Sequence, residues 1–552
     1  MGMRRLSGLV LALSLIAPAL PVTTSAAPEA PRLVVMLVVD QMRNDYIEDY
    51  GAGWTHGFRR LVSEGARFQN AAYPYFNTVT CAGHATIATG TVPAFHGIIL
   101  NQWWDRNQQK ELSCTEDRAA PTIPYGSGQP GSGHSARQLR VPTLAQTLVR
   151  AQSGRAHVVT LSMKARSAIM LAGGRADAVT WFENRTFATS AAFSAGRVPF
   201  VDTFIGRSPV ERDLGKTWDR ILPAAAYKYT DDGVGEKPTQ GWTRVFPHQL
   251  GSPGTEQSDQ FYSQWSSSPF SDEYLERMAE AAIDSLRLGQ GTTTDYLGLS
   301  FSALDAVGHK FGPRSHEVQD ILARLDVTIG RLLDHLDARV GRGKYVVALS
   351  ADHGVAVIPE QLKRQGIDAG RAIMDVASAR AEAALVRAFG AGKYVARMDY
   401  TNLFFMPGVM ARITGQRGLL ETVMKAVEGT PGVLRVFDTR MLDPHAATPD
   451  PLLRATALGE FRGRSGDLIV IPRTNWFWVA DDGTAAPGDA TTHGTAYPYD
   501  ARVPLLLLGA GVRPGAYEGT ATPADIAPTL ARICGVAMPA ATGRSLDEAI
   551  AH

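Results

Sequence analysis

Short apolar runs alternate along this chain with longer stretches that mix apolar and polar residues. Leu33 to Val39, Val158 to Leu161, Tyr296 to Phe301 and Tyr345 to Leu349 carry apolar residues on both alternations, which predicts strands buried on both faces of a parallel sheet. Leu505 to Leu508 reads as a fifth such strand. From about Ser315 to Val340 the period changes, and Val318, Ile321, Leu322, Leu325, Ile329, Leu332, Leu333 and Leu336 mark one face of a helix. Strands alternating with helices predict an α/β protein, a three-layer α/β/α core with a mostly parallel central sheet and inserted subdomains.

Two stretches break the rhythm. Residues 191–290 are rich in Gly, Ser, Pro and aromatics, and Gly251 to Ser268 reads as loop. Residues 359–480 open on an alanine-rich helical pattern, Ala377 to Phe389, and close on the apolar pieces Leu468 to Ile471 and Trp476 to Val479, the pattern of a small α+β unit. The expected organisation is therefore a signal peptide at 1–26, core at 27–190, an insertion at 191–290, core at 291–358, an inserted α+β subdomain at 359–480 and a C-terminal core segment at 481–552. The signal is read from Arg4 and Arg5, the apolar run Leu6 to Leu20, and the small residues Ser25, Ala26 and Ala27, with cleavage after Ala26. Pro18 and Pro21 interrupt that run, which falls short of the roughly 20 residues a spanning helix needs. A periplasmic or secreted protein without stable membrane insertion is expected, and no cysteine near the cleavage site offers a lipid anchor.

Charge excludes some partners. With 55 basic and 54 acidic residues the formal net charge is +1, which gives no footprint for nucleic acid or an anionic membrane. Any preference for anions must be local, and a monomer acting on small molecules is expected. Three cysteines, Cys81, Cys114 and Cys534, allow at most one disulfide, and Cys534 reads as a small buried hydrophobe.

Candidate chemistry sits at predicted strand ends, where open α/β sheets bind ligands. Asp40, Asp305 with His309, and Asp352 with His353 each follow a strand, and imidazole mixed with carboxylate points toward zinc among the common divalent ions. Asp305 and His309 stand four apart, so one helical turn brings them to one side. Asp352 and His353 would diverge in a regular strand, and Gly354 lets the chain turn so that both face the site. Thr80, in Asn77-Thr-Val-Thr-Cys-Ala-Gly-His84, enters a helix; alone it reads as an N-cap sooner than as a nucleophile placed where backbone N–H groups favour a phosphoryl anion. Lys164 and Arg166 follow the second strand at a spacing that projects both to one side if extended.

Taken with Thr-His493-Gly, the segments Val-Val-Asp40, Thr80-Cys-Ala-Gly-His84, Asp305-Ala-Val-Gly-His309 and Ser-Ala-Asp352-His353-Gly resemble the alkaline phosphatase superfamily. The order and spread of these motifs are similar to the branch shared by nucleotide pyrophosphatase/phosphodiesterases and PafA-like alkaline phosphatases. The resemblance implies two Zn2+ per chain, one held by Asp40, Asp352 and His353 with Thr80 completing the site, the other by Asp305, His309 and His493. It implies an exported alkaline phosphatase that hydrolyses phosphate monoesters through a covalent phosphothreonine on Thr80. Lys164 and Arg166 match the Lys-x-Arg pair of the monoesterases, and Asn101 matches the asparagine that contacts a phosphoryl oxygen there. Cys81 follows the nucleophile, but Cys81-Ala-Gly-His84 lacks the proline and arginine of the sulfatase pattern. The rival readings are a phosphodiesterase or nucleotide pyrophosphatase on the same zinc core, and a non-catalytic exported binding protein. The leaving-group pocket is expected from the two insertions.

Overall fold

A computed structural model describes residues 1–2, 30–126, 128–252, 254, 258–480 and 488–551. The expected signal segment from Arg4 onward and its cleavage point lie outside the described residues. No described helix is long and apolar enough to cross a membrane.

Ten strands form the central sheet: β1 (Leu33–Val39), β2 (Ala66–Ala71), β3 (Thr122–Pro124), β4 (Val158–Ser162), β5 (Ala178–Glu183), β6 (Thr186–Ser190), β7 (Asp295–Phe301), β8 (Tyr345–Ser350), β9 (Leu505–Gly509) and β10 (Gly515–Ala521). Their order across the sheet is β10-β2-β9-β8-β1-β7-β4-β5-β6-β3. The five strands from β8 to β5 run parallel. Alternate residues of β1 enter two separate cores, Leu33, Val35, Leu37 and Val39 on one face and Val34, Met36 and Val38 on the other. That division is why the run is apolar throughout: each face is covered by helices.

β9 differs from expectation. It pairs antiparallel with β8 and with β2, so the fifth apolar run belongs to the sheet but runs against its neighbours. Gly251 to Ser268 also holds more structure than expected, because residues Asp259–Ser266 form a helix whose first turn donates the Phe261 N–H to the Ser258 hydroxyl.

The helices that matter for the site are α1 (Thr80–Thr89), α2 (Ala165–Ala172), α3 (Pro269–Leu286), α4 (Ala303–Phe311) and α5 (His316–Leu336). α3 packs on α5 and β7. Its buried Asp272 accepts the N–H groups of Ser302 and Ala303 and so fixes the start of α4. Strands Val395–Asp399, Asn402–Phe405, Leu468–Pro472 and Val433–Asp438 form a second sheet, with its own cluster of buried apolar residues including Leu385, Leu403, Val423 and Leu468.

Candidate active site

The parallel core brings the polar strand ends to one edge. Asp40 follows β1, Lys164 lies two residues past β4, Asp305 is in the first turn of α4 after β7, and Asp352 and His353 follow β8. The start of α1 and the loop at His493 close on the same edge, since His493 Nδ1 lies 2.8 Å from the Thr78 carbonyl.

Each of three buried or nearly buried histidines turns Nδ1 to a backbone carbonyl: His309 to Thr491 at 2.9 Å, His353 to Gly354 at 3.0 Å, and His493 to Thr78 at 2.8 Å. A carbonyl only accepts, so Nδ1 carries the proton and Nε2 presents a bare lone pair. The His353 and His493 rings stack with centroids 3.4 Å apart. Burial holds the pKa of His353 below the ordinary value, and burial with the neighbouring His353 and His309 pushes His493 well below it. Both rings are therefore neutral.

Carboxylates face these nitrogens. Asp305 Oδ1 is 3.2 Å from His309 Nε2, as the helical spacing of four requires. Ligand atoms of Asp305, His309 and His493 lie within 4.8 Å of one another, as do those of Asp40, Asp305 and His353, so Asp305 stands between two groupings. Asp352 lies beside the second grouping, with Oδ2 3.4 Å from His353 Nε2. Asp40 Oδ1 is buried with no hydrogen-bond donor and faces His353 Nε2 at 3.5 Å. Two lone pairs opposed in a buried site are repulsive unless a cation lies between them, and carboxylate with imidazole suits a divalent metal. The donor set therefore fits metal ions. Burial raises Asp40 well above the usual carboxylate range, with Asp305 and Asp352 adding to it; burial would raise Asp305 too, but Lys164 and His309 pull it well below.

Thr80 is not the N-cap of α1. Val79 holds that position without a side-chain cap, and Thr80 is the first helical residue, 1% exposed, with Oγ1 3.5 Å from His353 Nε2. Its hydroxyl is thus turned to the cradle rather than to the helix. The Cys81 N–H, one of the donors at this helix start, is taken by Asn101 Oδ1 at 2.8 Å. Since that oxygen accepts, the Asn101 NH2 is the end left to point elsewhere. Cys81 is bonded to Cys114, which ties α1 to the hairpin that begins after Asn101.

Lys164 and Arg166 come together by a different route from the one their spacing suggests. Lys164 is extended, but the chain enters α2 at Ala165, and Arg166 belongs to that helix. Lys164 Nζ lies 2.6 Å from Asp40 Oδ2 and 2.5 Å from Asp305 Oδ2, and Arg166 is close enough for its charge to oppose that of Lys164. Gly354 likewise works through space rather than torsion: a Cβ there would sit 2.2 Å from the Tyr499 carbonyl.

Two positioning residues escaped the sequence reading. Gln41, at φ 71, donates its backbone N–H to Asp352 Oδ1 at 3.1 Å and its side-chain amide to Asp305 Oδ1 at 2.7 Å. Nothing in its residue type marks that role. His84 had a signal, being one helical turn from Thr80: Nδ1 lies 2.9 Å from the Thr80 carbonyl and 3.2 Å from Asp352 Oδ2, and Nε2 meets Ser300 Oγ at 2.8 Å.

Known proteins are similar to this chain over most of its length. The sequence pattern of the type I phosphodiesterase / nucleotide pyrophosphatase family matches residues 34–496. Alkaline phosphatase PhoV of Synechococcus elongatus is 30% identical over 517 residues, covering 92% of this chain and 91% of that protein. Alkaline phosphatase PafA of Elizabethkingia meningoseptica is 31% identical over 538 residues, covering 96% of each. The crystal structure of wild-type PafA superposes with a TM-score of 0.86 at 30% identity, over 96% of this chain and 100% of that one. Murine ectonucleotide pyrophosphatase / phosphodiesterase 5 superposes with a TM-score of 0.54 at 13% identity over 94% of this chain and 100% of that one, a likeness of fold alone.

Proposed function

Since this chain belongs to the type I phosphodiesterase / nucleotide pyrophosphatase family, we propose that it is an exported two-zinc alkaline phosphatase, hydrolysing phosphate monoesters through a phosphothreonine on Thr80. The observation that carries the reading is the Thr80 hydroxyl, buried at the head of α1 and turned toward His353 beside Asp40 and Asp305. Asp40, Asp352 and His353 would hold one zinc and Asp305, His309 and His493 the other. When bound, the metals would supply Lewis-acid chemistry, favouring an ionised hydroxyl and negative charge on the ester oxygens.

The chain's own groups do the rest. Thr80 Oγ1 attacks phosphorus, its bond to phosphorus forms as the ester P–O bond breaks, and the leaving group departs opposite to it. Water then attacks the phosphothreonine, returning the Thr80 hydroxyl and releasing phosphate. Lys164, Arg166 and the Asn101 NH2 hold the non-bridging oxygens; a monoester dianion places more charge there than a diester does, so two cations favour it. The relatives named alkaline phosphatase support this choice. The Cys81–Cys114 bond supports export, because disulfides persist in oxidising compartments.

Replacing Thr80 with alanine is expected to abolish turnover, and a near-normal rate would overturn the assignment. The family match also favours a second reading, a diesterase on the same core. Turnover of phenyl phosphate against methyl phenyl phosphate separates them: preference for the diester rejects the monoesterase. Lys164→Ala with Arg166→Ala should slow the monoester selectively.

A further inference from the structure

The turn between strands Val395–Asp399 and Asn402–Phe405 belongs to the second sheet, yet it reaches the reaction edge. Tyr400 at its tip has φ 50, in the left-handed region that bulky side chains rarely occupy. A Cβ on Gly494 would stand 3.1 Å from Tyr400 Cε1 and 3.6 Å from Val79 Cγ1. The half-buried ring therefore lies against the glycine after His493, near the residue before Thr80. Thr492 is a hydrogen-bonding neighbour of its phenol, and the charges of Arg166 and Asp305 both act on it. The adjoining Thr401 donates its hydroxyl to Asn77 Oδ1 at 2.7 Å, which ties the turn to the loop leading into α1. A strained residue held from both sides at a reaction edge is a candidate for function rather than for folding alone.

Its location selects the role. In the proposed reading Thr80, Asn101, Lys164 and Arg166 take the phosphoryl group, while a zinc held by Asp305, His309 and His493 would stabilise the departing ester oxygen. Tyr400 stands beside His493. We propose that Tyr400 is a specificity-determining residue whose ring walls the leaving-group side of the cleft and favours flat aromatic leaving groups over saturated ones. This rests on the phosphatase reading above. Aromatic faces attract one another by up to about 1.5 kcal/mol beyond the area they bury, about ten-fold in an equilibrium.

The test uses the full, metal-loaded enzyme and Tyr400→Asn, since asparagine tolerates positive φ and removes the ring without new backbone strain. The ratio of kcat/KM for phenyl phosphate to that for glycerol 2-phosphate is expected to fall by roughly three- to ten-fold, with inhibition by inorganic phosphate unchanged. Tyr400→Phe should keep the wild-type ratio. An unchanged ratio, or equal loss on both esters together with weakened phosphate inhibition, overturns the proposal. If Tyr400→Asn does not fold, Tyr400→Leu reads the same ratio. Should the wild type prefer diesters, the phosphatase reading fails by itself, and the ratio between methyl phenyl and methyl alkyl diesters still decides the role of Tyr400.

Discussion

Orientation at the site is held by small contacts around the carboxylates that could hold metal. Gln41 bonds Asp305 through its side-chain amide and Asp352 through its backbone N–H, so Gln41→Ala should loosen Asp305 without touching it directly. Of these contacts only the side-chain bond to Asp305 is lost in that variant, and loss of such an orienting bond typically costs about 10- to 100-fold in metal affinity. Metal content after dialysis against a graded chelator measures this, and wild-type retention would assign Gln41 no such role. Gly83 acts through close approach: a Cβ there would stand 2.3 Å from the Asp352 carbonyl and 2.6 Å from its Cβ. α1 could not close on the Asp352 loop with a larger residue. Gly83→Ala is expected to destabilise by about 1–3 kcal/mol and to slow turnover, as read by urea denaturation and initial rates.

Among elements, the link between α1 and the hairpin after Asn101 stands out. The Cys81–Cys114 bond closes a loop of sequence separation 33, and removing a crosslink of that size frees about 3–4 kcal/mol of chain entropy in the unfolded state. Cys114→Ser should lower the denaturant midpoint accordingly, and wild type under reductant should match it. Elements were legible where burial acts on both faces of one segment. β1, β4, β7 and β8 could be read because both alternations are apolar, but the same pattern says nothing of direction, so the antiparallel β9 could not. The polar helix Asp259–Ser266 carries few apolar positions and reads as loop. Asp305 and His309 were legible because a helix makes their spacing a distance, whereas the α2 start between Lys164 and Arg166 is set by the turn after β4. Asn101 as an acceptor for Cys81 N–H depends on a fold that brings the two together.

For the molecule as a whole, buried acids set the response to pH. Burial pushes Glu460 up to about 7 and Glu236 up to about 8, against about 4.3 for an exposed glutamate. The folded chain binds these protons more tightly than the unfolded chain. The resulting stability is full below the unfolded value and is lost as pH rises through the folded one. The contribution of these two acids to the melting temperature should therefore fall between about pH 4 and pH 8, and the fall should be smaller in Glu460→Gln. An undiminished fall in that variant would exclude Glu460 as a source.

His493 reaches the cradle from far along the chain, with its ring stacked on His353. During synthesis, a chain that has emerged only as far as Thr492 carries Asp40, Thr80, Asp305, His309, Asp352 and His353 but lacks the last imidazole, and β9 has not yet covered β8. The cradle cannot be whole until His493 has been made. In the proposed two-zinc reading, capture of the second ion would therefore wait until most of the chain has been made.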